Sequence, residues 1–97
     1  MLKNLKGSEK QIAWAEKIRE DRMSDFYYWQ KLFLEKAQKN NDEAEIAEIK
    51  KYTELLENIE EAEKWIRIEK AMLSISLLPN KERREKALKG FKSYEIF

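Results

Sequence analysis

The stretch SEKQIAWAEKIREDRMSDFYYWQKLFLEKAQKNNDEAEIAEIKKYTELLENIEEAEKWIRIEKAMLSISLL, from Ser8 to Leu78, contains no glycine and no proline. The chain's two glycines, Gly7 and Gly90, and its one proline, Pro79, all lie outside it. Glycine and proline are the residues least tolerated inside a helix and the commonest punctuation between elements, so a stretch this long without them predicts an all-α fold built from long helices. Ser8 and Gln11 have the spacing of a capping box, with Gly7 ending whatever precedes it. A first helix is therefore expected over about 9–39. Its apolar stripe is Ile12, Ala15, Ile18, Phe26, Trp29, Phe33 and Ala37, with Trp14, Tyr28 and Leu32 at the margin. The polar segment Arg19–Asp25 leaves room for a kink at Asp21–Ser24, but no breaker forces one, and a continuous helix is the reading adopted.

Lys39-Asn40-Asn41-Asp42 is the one interior segment with turn chemistry. Asparagine tolerates the left-handed conformation that ends helices, and Asp42 with Glu45 suits the start of the next. The second helix is expected over about 43–77, carrying Ile46, Ile49, Tyr52, Leu56, Ile59, Ala62, Ile66 and Leu73 at spacings of three and four. A later stripe of Trp65, Ile68, Met72 and Ile75 suggests burial on two sides. Pro79 closes this helix, because the residue before a proline avoids helical geometry. Asn80 then starts a short third helix over about 81–89, ended by Gly90, and the aromatic residues 91–97 are expected to fold back as a docked tail. The whole is one domain, a long antiparallel helical hairpin with a short third helix.

Length sharpens this picture. A helix over 9–39 is about 45 Å long, whereas a compact chain of this size has a radius of gyration of about 12.5 Å. Two such rods overshoot a sphere and cover only one face of each other, which favours a homodimer or another protein partner. The run Phe26-Tyr27-Tyr28-Trp29 points in nearly every direction around a helix, so one contact cannot bury all four. Phe26, Tyr27, Tyr28, Trp29 and Phe33 are thus the candidate protein interface, aromatics being enriched at such surfaces.

The inventory excludes much chemistry. With no histidine and no cysteine, the chain lacks the ligands or bases of common zinc, haem and iron–sulfur sites and of His-dependent nucleophilic catalysis. It has no glycine-rich phosphate loop. We therefore expect no enzyme activity, no cofactor and no metal. No apolar run resembles a signal-peptide core or approaches a membrane span, so the expectation is a cytoplasmic protein without membrane contact.

Charge is segregated: residues 1–39 carry a net +3, residues 40–70 a net −5 and residues 71–97 a net +3. An acidic middle between basic ends favours a chain folded back on itself. Lys81, Arg83, Arg84, Lys86 and Lys89 are the candidate nucleic-acid contacts, with Lys3, Lys6, Lys10 and Lys17 as an extension should the ends meet. Glu82 and Glu85 dilute that patch, and an overall charge of +1 argues against strong non-specific binding. The acidic run Glu54, Glu57, Glu60, Glu61 and Glu63 reads first as helix electrostatics, with Glu60–Lys64 and Glu63–Arg67 one turn apart.

The segment Leu5 to Arg19, LKGSEKQIAWAEKIR, resembles an L-x-G-[ST]-x-K-Q-I-x-W-A-x-x-I-R pattern in uncharacterised bacterial, phage and mobile-element proteins. The resemblance covers about 15 residues. It implies a bacterial or mobile-element setting but no activity and no functional residues. In that segment Trp14 falls at the edge of the packing face, where a place in the core is expected. The function most in keeping with all of this is a non-enzymatic protein-interaction or regulatory module; the alternative is a nucleic-acid-binding accessory protein using the basic termini.

Overall fold

Capping chemistry starts and stops the first helix where local sequence asks. In a computed structural model, which describes residues 2–71, 77 and 79–96, α1 spans Glu9–Lys39 without a break. The Ser8 hydroxyl accepts from the Gln11 N–H, and the Gln11 side chain accepts from the Ser8 N–H. At the other end Asn41 takes a φ of 53°. The Asp42 and Asn41 N–H groups donate back to Ala37 and Gln38, the paired bonds of a Schellman motif. Helix α2 (Glu43–Glu57) then begins with the Asp42 carboxylate accepting from the Glu45 N–H at 3.1 Å.

The single helix expected over 43–77 is instead two, α2 and α3 (Ala62–Ala71), separated at residues 58–61. The amino-terminal arm explains the break. Lys6 donates its N–H to the Glu60 carbonyl at 2.7 Å and accepts the Ala62 N–H at 2.9 Å. The Lys3 N–H reaches the Glu57 carbonyl. Backbone groups that a continuous helix would pair internally are thus satisfied by the arm, and Lys6 and Glu61 form an isolated parallel bridge. Gly7 permits the close fit. Its φ is +150°, and a Cβ there would meet Gln11 Oε1 at 3.0 Å and Ala62 Cβ at 3.3 Å. Met72, Leu73 and Ile75 of the expected stripes lie outside the described residues.

The last helix, α4, covers Lys81–Ser93 and runs past Gly90, which was expected to end it near Lys89. Arg84, Ala87 and Phe91 share one buried stripe, and continuing the helix places Phe91 in the core, at 1% exposure. Burying an aromatic side chain outweighs the roughly 1 kcal/mol that an interior glycine costs. Termination comes later, with Glu95 at φ 56° and the Ile96 N–H bonded to the Phe91 carbonyl. Ile96 is fully buried, and the Glu95 carbonyl accepts from Arg67. Asn80 sits at the N-cap of α4 but makes no capping bond; its Oδ1 is buried without a partner.

Tyr27 meets Glu57, and Gln30 meets Thr53, so α2 runs back along the carboxyl-terminal half of α1. The other half of α1 is covered by the arm and by α3, through Arg19 on the Lys3 carbonyl and a bidentate Arg22–Glu69 pair. Between them lies one core containing Leu5, Ala15, Ile18, Met23, Phe26, Leu56, Trp65, Ile68, Ala87, Phe91 and Ile96. The molecule has a radius of gyration of 13.6 Å and extends 45 × 25 × 18 Å. Its long dimension matches the length of α1, 31 residues at about 1.5 Å each.

Candidate interaction surface

Helix geometry sorts the aromatic residues of α1 onto opposite sides. Successive residues advance by about 100°, so Tyr28, Leu32 and Trp29 lie within about 100° of arc, whereas Phe26 and Ala37 lie about 160° and 180° from Tyr28. The core takes the second group: Phe26 is 1% exposed and Ala37 is buried. The first group faces solvent, with Tyr28 63%, Leu32 41% and Trp29 37% exposed. Tyr28 and Trp29 pack edge to face at 5.3 Å between ring centroids, and Trp29 leans on the half-buried Phe33 at 6.3 Å. These contacts hold the rings as a standing ridge rather than as independent rotors.

The five candidate interface residues therefore divide. Phe26 is a core residue and cannot meet a partner; it packs against Tyr52 at 5.8 Å. Tyr27 is half-buried, and its hydroxyl donates to the Glu57 carboxylate. Burial, then that hydrogen bond and the carboxylate charge, push the Tyr27 phenol up from its ordinary value, with Arg19 pulling weakly the other way. Tyr28, Trp29 and the outer edge of Phe33 remain on the surface. Leu32, read from sequence as a marginal core position, belongs with them.

Trp14 corrects a second expectation. It is 52% exposed rather than part of the core. It lies on the same side of α1 as Tyr28, about 20 Å nearer the amino end. Here it borders a shallow depression with Lys17, Ile18, Asp21, Arg22 and Glu69. The reason is angular: the arm and α3 approach from the Ala15 side, so a residue at the edge of the stripe stays outside. Trp29, placed within the core stripe from sequence, is likewise at its solvent-facing border.

The structure divides the basic cluster of α4 between the interior and the surface. Arg84 is 6% exposed, donating to the Pro79 carbonyl and to the Glu45 carboxylate, and so ties α4 to the start of α2. Lys81, Arg83, Lys86 and Lys89 are exposed. They span about 200° of the helix surface with Glu82 and Glu85 inside that arc, and Lys86 lies 3.8 Å from Glu82. In the acidic run, Glu63 pairs with Arg67 at 2.8 Å, and Glu60 meets Lys6 of the arm at 3.2 Å. Among the described residues no cluster of three carboxylates is placed to hold a metal ion, and no helix is long and apolar enough to cross a membrane.

Besides Asn80 Oδ1, Tyr52 Oη and Trp65 Nε1 are buried without a hydrogen-bond partner among the described residues. Burial pushes the Tyr52 phenol up, opposed by the charge of Arg84. Tyr52 borders a small depression with Glu48, Lys51, Leu55, Arg84 and Leu88, and Trp65 is fully buried in the core. Compared with known protein families, characterised proteins and solved structures, the chain matches none. Its function is accordingly argued from its own surface.

Proposed function

We propose that the protein is a non-enzymatic interaction or regulatory module that docks another polypeptide on the outer face of α1. The observation carrying this reading is the ridge of Tyr28, Trp29 and Leu32, large apolar side chains left in solvent on a helix whose opposite side already supplies the core. Isolated exposed apolar residues are ordinary, but aromatics packed edge to face beside one another are the composition of interface centres. The resemblance of residues 5–19 adds a bacterial or mobile-element setting, and the cytoplasm is the compartment we propose because no apolar run resembles a signal-peptide core. Nucleic-acid contact through Lys81, Arg83, Lys86 and Lys89 has less support, because Arg84 is committed to an internal ion pair.

Replacing Tyr28 and Trp29 together by serine tests the reading. Partners that co-purify with the tagged chain from its native host should be lost while helical circular dichroism is retained. An unchanged set of partners with a folded variant would count against the outer face as the docking surface.

A further inference from the structure

The charges on either side of the aromatic ridge are arranged by sign and by distance. Asp21 and Asp25 precede it on α1 and Lys36 and Lys39 follow it, all four exposed. On the helix wheel they share the roughly 100° arc of Tyr28, Leu32 and Trp29. None of the four makes an ion pair among the described residues. Arg22, at the border of the arc, is already held by Glu69, with its Nη2 2.9 Å from the carboxylate. Glu35 stands off to one side, with Lys31 and Lys39 one turn away on either hand.

Spacing from Asp21 through Asp25, Tyr28, Leu32 and Lys36 to Lys39 runs four, three, four, four and three, the rhythm of a helix–helix seam. The seam is also symmetric about a point close to Gln30. Asp21 lies as far before that point as Lys39 lies after it, the same holds for Tyr28 with Leu32, and Asp25 and Lys36 match to within one residue, about 1.5 Å along the axis. A two-fold axis there would set each aspartate of one copy opposite a lysine of the other and lay Tyr28 against Leu32. This is the self-complementarity that an isologous contact requires. A parallel pairing would face aspartate with aspartate and lysine with lysine, which is repulsive.

We infer that the occupant of the outer face of α1 is a second copy of this chain, packed antiparallel about an axis near Gln30. The inference rests on the reading of that face as a docking surface and names its partner. The paired segment is about 27 Å long, which places the contact at the small end of specific interfaces and its dissociation constant in roughly the micromolar range.

Charge exchange supplies the test. Asp21→Lys with Asp25→Lys makes the seam wholly basic, and Lys36→Glu with Lys39→Glu makes it wholly acidic. All four positions are exposed, and circular dichroism checks that both variants fold. In sedimentation velocity over about 1 µM to 1 mM, wild type should associate and each variant alone should associate at least tenfold more weakly. An equimolar mixture of the two should recover association. Polarity has a separate readout, since the chain has no cysteine of its own. Spin labels on Lys31→Cys should lie about 20 Å apart across the dimer and those on Ala13→Cys about 50 Å apart, whereas parallel pairing gives short distances at both. A monomeric wild type at 1 mM, a mixture that stays monomeric, or short distances at both labels would overturn the second-copy assignment. Those results leave co-purification of another partner intact, whereas retained partners in the Tyr28/Trp29 serine variant would remove the docking surface itself.

Discussion

Phe26 and Tyr28 are two residues apart on one helix and have opposite fates. Phe26 packs between Tyr27 and Tyr52 with almost no exposure, while Tyr28 stands in solvent against Trp29. Composition does not separate them, since both are aromatic and both lie within one unbroken helix. Their angular positions do, because α2 and α3 reach α1 from one side only. The comparison teaches that the outer ridge is surplus to the core, and surplus apolar surface is where partner binding can be built without loss of fold.

The sharpest way to break this contrast is truncation on the inner side. Phe26→Ala should cost about 3–5 kcal/mol of stability in denaturant unfolding, through lost burial and the cavity left behind. A cost below about 1 kcal/mol would mean that the inner cluster is not the core of the fold.

An intermediate effect is expected at Tyr52, which packs against Phe26. Its phenol is raised in the folded state, so above the ordinary tyrosine value of 10.0 the unfolded chain ionises first and stability falls with rising pH. One such group contributes a slope of up to about 1.4 kcal/mol per pH unit in that window, and none below it. Tyr52→Phe should therefore flatten the alkaline loss seen in thermal melts between pH 9 and 12. At pH 7 it should cost nothing, because the hydroxyl has no partner to lose. A clear loss at pH 7 would show that the hydroxyl is bonded after all.

The smallest effect belongs to the outer side. Tyr28→Ala should leave unfolding within about 0.5 kcal/mol of wild type when measured on dilute, monomeric protein. A larger cost under those conditions would erase the distinction between the two faces.

Parts of this architecture were open to reading from residue order alone. Helix α1 has the expected bounds because its signals are local: Ser8 with Gln11 at one end, Asn41 and Asp42 at the other. The break at residues 58–61 was not legible. Asn58 is a weak hint, and the deciding bonds come from Lys3 and Lys6, more than fifty residues away in the chain. Gly90 misled for a related reason, since the helix continues past it to seat Phe91. At the candidate surface, the sequence showed that the run Phe26–Trp29 points all round the helix, but which of the four faces outward depends on where the other helices lie. Arg84 looked like its basic neighbours until Glu45 and the Pro79 carbonyl were brought to it.

What the amino-acid order determined by itself is helicity, the caps of α1 and the approximate number of rods, all of which follow from interactions within about four residues. Only the tertiary structure decided which stripe became the inside, where the second rod divides and which charges are spent within the chain. Those outcomes depend on backbone and side-chain groups that meet across long separations, where no local periodicity carries a signal.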